Sequence, residues 1–91
     1  MTFLANNYNR KKISFKKGIG SYLVATNGKK YLDFCSGIAV NSLGHANPRL
    51  VKALYKQAKK VWHVSNAFMI PEGEILAKKL VKKTFADSVI F

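Results

Sequence analysis

Residues 31–48 constrain the fold of this chain more than any other stretch. They read YLDFCSGIAVNSLGHANP. The stretch begins with β-type residues, breaks at Gly37, and continues as an apolar loop too short to form a helix of its own. It ends at Asn47, a good N-cap residue, and Pro48, which suits the first helical position. This order predicts a strand, a loop and the start of a helix.

The preceding segment predicts a β-hairpin. Asn27 and Gly28 separate two β-type runs, 21–26 and 29–34. An Asn-Gly pair favours a type I′ turn, in which both central residues have positive φ. We interpret residues 16–20 as a further turn, because two glycines there free the backbone.

The segment after residue 48 predicts two helices. Helical spacing of apolar residues runs from Arg49 to about Val61, and a second helix opens at Pro71. The apolar connector between them, Trp62 to Ile70, must pack on something. Residues 87–91 have β-type sequence and are predicted to start a strand. The whole predicts an α+β unit, a hairpin followed by two helices, behind a polar N-terminal arm at residues 1–12.

Length and composition set the class of protein. The chain has 91 residues, and its hydrophobic content of 48% argues for a folded chain. It has neither a signal-peptide pattern nor an apolar run near the roughly 20 residues that span a bilayer. We therefore expect a soluble cytoplasmic protein. Cys35 is the single cysteine, which excludes an internal disulfide and fits a reducing compartment. We interpret it as a buried small residue.

The net charge of +12 results mainly from the large number of lysine residues. Arginine, which base-reading sites and bidentate phosphate sites recruit, contributes only Arg10 and Arg49 among sixteen basic residues. The lysines form scattered pairs, so we favour a solvated surface. A lysine-rich nucleic-acid-binding module and an interaction module without chemistry remain alternatives.

The two histidines of the chain are not predicted to form a metal site. His45 has one histidine companion, His63, eighteen residues away. Metal sites need three or four ligands, so we predict no metal centre. We interpret His45 as bonding to backbone at the turn before the helix.

The ordered set of motifs resembles the N-terminal part of acetylornithine and ornithine aminotransferases, class III enzymes that depend on pyridoxal 5′-phosphate (PLP). The resemblance runs from about Tyr8 to Phe91. The pieces that carry it are Tyr31-Leu32-Asp33-Phe34, Gly37-Ile38-Ala39-Val40-Asn41, Leu43-Gly44-His45 and Pro48, supported by Gly20-Ser21-Tyr22-Leu23, Asn27-Gly28-Lys29, Ser65-Asn66, Phe68, Glu74, Leu76-Ala77 and Leu80.

The resemblance implies a parent enzyme of fold type I, an α/β PLP-dependent transferase that acts as a homodimer. Residues 13–91 would then be the N-terminal small-domain portion and the start of the large domain. The implied reaction transfers an amino group between N-acetylornithine and 2-oxoglutarate, in arginine biosynthesis. Ornithine or another ω-amino acid is the alternative substrate. The connector, Trp62 to Ile70, would pack along the subunit interface.

Two residues are implied to bind substrate. Tyr22 matches an aromatic residue that points toward the distal end of the substrate, although a cross-strand hairpin tyrosine explains it equally well. Ile38 stands where ornithine enzymes tend to have tyrosine, and its apolar side chain better tolerates an acetylated nitrogen than a free amino group.

No residue of this chain is assigned a catalytic or PLP-binding role. In the family, the loop that binds the PLP phosphate and the lysine that attaches PLP come later than a strand like the one at Phe91. We therefore expect the 91-residue chain alone to be inactive. A truncated gene product and a fragment of a longer protein both fit this expectation.

Overall fold

The computed structural model describes residues 2–91. Its elements are β1 (Phe15–Ile19), β2 (Tyr22–Ala25), β3 (Lys30–Leu32), a short turn α1 (Ser36–Ala39), α2 (Pro48–Ala58) and α3 (Pro71–Val81). They fall into two units, one ending at Tyr55 and the other running from Lys56 to Phe91. The predicted α+β class is confirmed. The boundary at residue 12 stays a prediction.

The first unit contains a three-stranded antiparallel sheet in the order β1-β2-β3. It has one strand more than the predicted hairpin, because residues 16–19 belong to β1 instead of a turn. The chain reverses one residue later, where Gly20 has a φ of 54°. The other glycine of the pair, Gly18, stands within the strand, and its missing side chain makes room for His45.

The Asn27-Gly28 hairpin is confirmed, but the predicted type I′ turn is wrong. Gly28 has a φ of 86°, whereas Asn27 is not among the residues with positive φ. The Gly28 amide donates to the Ala25 carbonyl at 2.9 Å, and Ala25 donates in turn to Lys29 at 2.9 Å. This pattern matches a three-residue hairpin loop with a glycine bulge. Asn27 contributes its side chain, whose Oδ1 accepts from the Lys29 amide at 3.0 Å.

The core of the described residues is very small. Within residues 2–91 the buried hydrophobic set consists of Ala25, which is 2% exposed. The rings of Phe15 and Tyr31 meet edge to face, with centroids 5.8 Å apart. No residue of α2 or α3 is buried. Burial on this scale leaves most apolar side chains in contact with solvent.

Asn47 caps α2 as the sequence predicts. Its Oδ1 accepts hydrogen bonds from the amides of Arg49 at 3.0 Å and Leu50 at 3.3 Å. Pro48 occupies the first helical position, where its missing N–H costs nothing. The helix ends at Ala58, three residues before the predicted end at Val61. The carbonyl of its last residue, Ala58, accepts a hydrogen bond from the indole N–H of Trp62, with the nitrogen 2.6 Å from the oxygen.

The substitution Asn47→Ala is expected to fray the first turn of α2. Loss of an N-cap side chain costs about 1 kcal/mol, and an 11-residue helix with no buried side chain has little else to hold it. Far-UV circular dichroism should show reduced helix content, with Asn6→Ala, in the N-terminal arm, as the control. Equal spectra for the two variants would contradict the capping role.

The second unit contains α3, whose start at Pro71 is confirmed. Glu72 and Glu74 lie in the first turn and Lys78 and Lys79 in the last, which suits the helix dipole. The predicted strand at residues 87–91 is absent from the structure. A strand is stabilised by hydrogen bonds to a neighbouring strand, and this segment pairs with none.

None of the helices between residues 2 and 91 combines the length and apolar character needed to cross a membrane.

Candidate functional site

The site is built around a short hydrogen bond between the side chains of Asp33 and His45. The imidazole Nε2 lies 2.7 Å from the Asp33 Oδ2. The side chains are 7% exposed for Asp33 and 21% exposed for His45. An ionised carboxylate only accepts hydrogen bonds, so the imidazole N–H is the donor. The expected bond from the His45 side chain to backbone is therefore wrong, because the ring bonds to a carboxylate instead.

The second oxygen of Asp33 is also used. Its Oδ1 accepts from the Ser36 amide at 2.8 Å. The hydrogen bond from His45 lowers the pKa of the Asp33 carboxyl below its ordinary value, and the Ser36 amide lowers that pKa further. Asp33 is therefore ionised at neutral pH and joins two parts of the chain at once.

The backbone brings His45 to the sheet. The Gly20 and His45 amides exchange hydrogen bonds with each other's carbonyls, at 3.0 Å and 2.8 Å, and form an isolated antiparallel bridge. A Cβ added to Gly18 would clash with the imidazole ring, and one added to Gly44 would lie 3.0 Å from the backbone of Gly20. Only glycine at positions 18 and 44 permits this close approach.

A left-handed turn lies between Asp33 and His45. Four successive residues, Ser36, Gly37, Ile38 and Ala39, have φ values of 51°, 64°, 65° and 60°. Its hydrogen bonds include Val40 to the Ser36 carbonyl, at 2.8 Å. Each non-glycine residue in this conformation costs roughly 1–2 kcal/mol. Strain of this kind persists only where surrounding contacts hold it.

Both predicted substrate residues lie on exposed surfaces. Ile38 is 91% exposed at the centre of the left-handed turn. Tyr22 lies on β2, paired with Leu32, and the Nζ of Lys30 sits 4.0 Å from its ring centroid. The substrate-binding roles of Tyr22 and Ile38 stay predictions. Cys35, interpreted as buried, is exposed.

A small polar depression of about 180 Å³ surrounds the Asp33 and His45 side chains. It is lined by Gly20, Ser21, Asp33, Ser36, Asn41, Ser42, Gly44 and His45. No lysine or arginine lines it, and Asp33 contributes a negative charge. These groups do not fit the phosphate of PLP, and we derive no step through PLP from them. Among residues 2–91, no three His, Cys, Asp or Glu side chains converge as metal ligands.

The sequence reasoning missed the Asp33–His45 pair. The available signal was the alternation along the predicted strand, residues 29–34, which places Asp33 and Tyr31 on one face. The partner, however, lies twelve residues later, beyond a turn of unusual handedness. Helix and strand periodicities relate residues only within one element. They therefore do not predict a contact between side chains on either side of this turn.

Comparison with known proteins gives the family. The profile of the class III aminotransferases matches residues 3–91. Acetylornithine aminotransferase 1 of Bradyrhizobium diazoefficiens is 57% identical over 82 residues, which is 90% of this chain and 20% of that protein. The chain thus spans about a fifth of the length of the curated relatives that it matches.

Solved structures agree with the family match. The N-acetylornithine aminotransferase of Stenotrophomonas maltophilia superposes with a TM-score of 0.75 at 40% identity, covering 82% of this chain and 21% of that one. The ornithine δ-aminotransferase of Plasmodium falciparum superposes with a TM-score of 0.88 at 27% identity, covering 94% and 22%. The chain is similar to a limited segment of each, and it belongs to the class III aminotransferase family.

Proposed function

We propose that this chain is the N-terminal part of an acetylornithine aminotransferase. The parent would be a soluble, cytoplasmic homodimer that uses PLP to transfer an amino group between N-acetylornithine and 2-oxoglutarate, in arginine biosynthesis. The observation that carries the proposal is the 57% identity to a protein of that name over 90% of the chain. Bound PLP would supply the electron sink for the reaction.

The contribution of this chain would be to bind and orient the substrate. Ile38 offers an exposed apolar side chain on the left-handed turn. A buried polar group that loses its partner is penalised, so a free amino group gains nothing from contact with isoleucine. An acetylated nitrogen carries a neutral, partly apolar substituent that suits it. The superposition on an ornithine enzyme keeps ornithine as the second candidate substrate.

A chimera tests the proposal directly. This chain replaces the corresponding segment of the Stenotrophomonas maltophilia enzyme, which supplies the remaining residues. We expect kcat/KM to be higher for N-acetylornithine than for ornithine. A chimera that turns over only ornithine, or neither substrate, would contradict the proposal.

The substitution Ile38→Tyr in this chimera is expected to shift the preference toward ornithine. A new hydroxyl can pair with the free amino group, and one hydrogen bond to a charged group corresponds to about tenfold in kcat/KM. Ile13→Tyr, near the predicted arm, is the matched control. An unchanged ratio in Ile38→Tyr would remove the specificity role of this position.

Duplex DNA is expected to bind this chain weakly and without sequence preference. The charge of +12 comes almost entirely from lysine, and contacts between lysine and phosphate weaken steeply as salt rises. Fluorescence anisotropy from about 0.05 to 0.2 M salt, with two unrelated duplexes, measures this. Tight and sequence-selective binding at the higher salt would favour the alternative of a basic module.

A further inference from the structure

The carboxylate of Asp33 forms hydrogen bonds at both ends of the loop that carries Ile38. The loop, residues 34–44, leaves the sheet after Asp33 and returns to it at His45. The Asp33 Oδ1 holds the amide of Ser36, where the left-handed turn begins, at 2.8 Å. The Asp33 Oδ2 holds the side chain of His45, just after the loop ends, at 2.7 Å.

Packing does not hold this turn in place. None of its residues is buried, and three of its four residues are non-glycine residues with positive φ. Such a conformation needs fastening from outside. The backbone bridge between Gly20 and His45 fixes only the return of the loop. The hydrogen bond from the Ser36 amide to the Asp33 side chain joins the start of the turn to the residue that follows β3.

We propose that Asp33 and His45 are positioning residues for substrate selection: they form a clasp that holds the left-handed turn and presents Ile38 to the substrate. Neither residue need touch the substrate. The inference rests on the proposed function, because it needs Ile38 to lie at the substrate site. It adds two residues outside the predicted substrate-binding pair, Tyr22 and Ile38.

The test uses the active chimera described above, assayed as holoenzyme. Asp33→Ala removes both contacts of the clasp and is expected to lower the preference for N-acetylornithine over ornithine about tenfold. Because only binding geometry changes, the loss should appear mainly as a higher KM for N-acetylornithine, with kcat within about threefold. Glu72→Ala, which removes an exposed acid from α3, is the control and should leave both constants unchanged.

Conservative variants separate positioning from general damage. In the variant His45→Gln, the side-chain NH2 group of glutamine can still donate to Asp33. This variant should keep most of the preference for N-acetylornithine that His45→Ala loses. Asp33→Asn retains an oxygen for the Ser36 amide and should fall between the parent and Asp33→Ala. Should Asp33→Ala prove insoluble, these two variants carry the test.

A double variant tests whether the clasp acts through Ile38. Groups that act as a unit give non-additive effects, so Asp33→Ala with Ile38→Tyr should change the substrate preference by less than the product of the single effects. If the double variant changed the substrate preference by the full product of the two single effects, the proposal would be overturned. Equal losses of kcat for both substrates in Asp33→Ala would also overturn it, because they indicate general damage.

The two hypotheses fail in different ways. A parental chimera that does not act on N-acetylornithine, or that prefers ornithine, overturns the proposed function and with it the basis of the clasp. A parental chimera that prefers N-acetylornithine, with an Asp33→Ala variant that behaves like Glu72→Ala, overturns the clasp alone.

Discussion

The 91-residue chain by itself is expected to bind PLP without specificity and to give no transamination. The reason lies in the groups that the described residues bring together. The polar depression around His45 contains no cationic side chain, and its Asp33 carboxylate repels a phosphate. The chain has fourteen lysines among its sixteen basic residues, yet no lysine lines this depression.

The measurement compares the chain with the active chimera under the same conditions. PLP held by an enzyme lysine absorbs at wavelengths that shift when an amino-acid substrate is added. We expect that signal from the chimera and only the spectrum of free PLP, or of nonspecific adducts with surface lysines, from the chain. Borohydride reduction followed by peptide mapping should give scattered labelling. Turnover of N-acetylornithine by the chain alone, above a blank of PLP only, would contradict the expectation.

The second large effect is self-association of the isolated chain. Exposed aromatic and aliphatic side chains are numerous: Trp62 is 86% exposed and Phe85 fully so. Soluble monomers seldom keep contiguous apolar surface of this kind. A chain this short buries little more than about 60% of its unfolded surface even when well packed. The buried hydrophobic set of residues 2–91 reduces to Ala25.

One apolar surface stands out within the second unit. A groove is formed by the connector, the first turns of α3 and residues 89–91. Phe68 and Met69 line it, and both are exposed. We therefore expect the free chain to bind a hydrophobic dye and to form oligomers or a loosely packed state. The net charge of +12 opposes association, so added salt should promote it by screening that repulsion.

Sedimentation velocity, dye fluorescence and amide-proton dispersion at low concentration test this expectation. The double variant Phe68→Ser, Met69→Ser should reduce dye binding and association. Phe3→Ser, which removes an exposed aromatic residue from the N-terminal arm, serves as the control. A monodisperse monomer with sharp, dispersed signals and a cooperative melt would indicate a self-sufficient domain, and the alternatives without an aminotransferase role would gain.

Features that depend on neighbouring residues were predictable from the sequence. The start of α2 follows from Asn47 and Pro48, since capping is settled within one turn of the helix. The start of α3 follows from Pro71 by the same rule. The family followed from short motifs in a fixed order, which a sequence displays directly.

Features that depend on distant contacts were decided by the tertiary structure. Residues 16–19 form a strand because β2 lies beside them, which local glycine content does not reveal. The loop type is a local feature that the sequence left open, because Asn27-Gly28 marks a hairpin without deciding between a two-residue and a three-residue loop.

The clasp shows this limit most clearly. Asp33 and His45 are unremarkable as single residues. The pair exists because Gly18 leaves room for the imidazole ring and Gly44 lets the chain come close to the backbone of Gly20. The left-handed turn at residues 36–39 lies on the path by which the chain returns to the sheet at His45. The sequence by itself determined where α2 and α3 begin and which family the chain belongs to. Tertiary structure decided which polar groups meet, because hydrogen bonds between residues far apart in the chain depend on the path of the backbone between them.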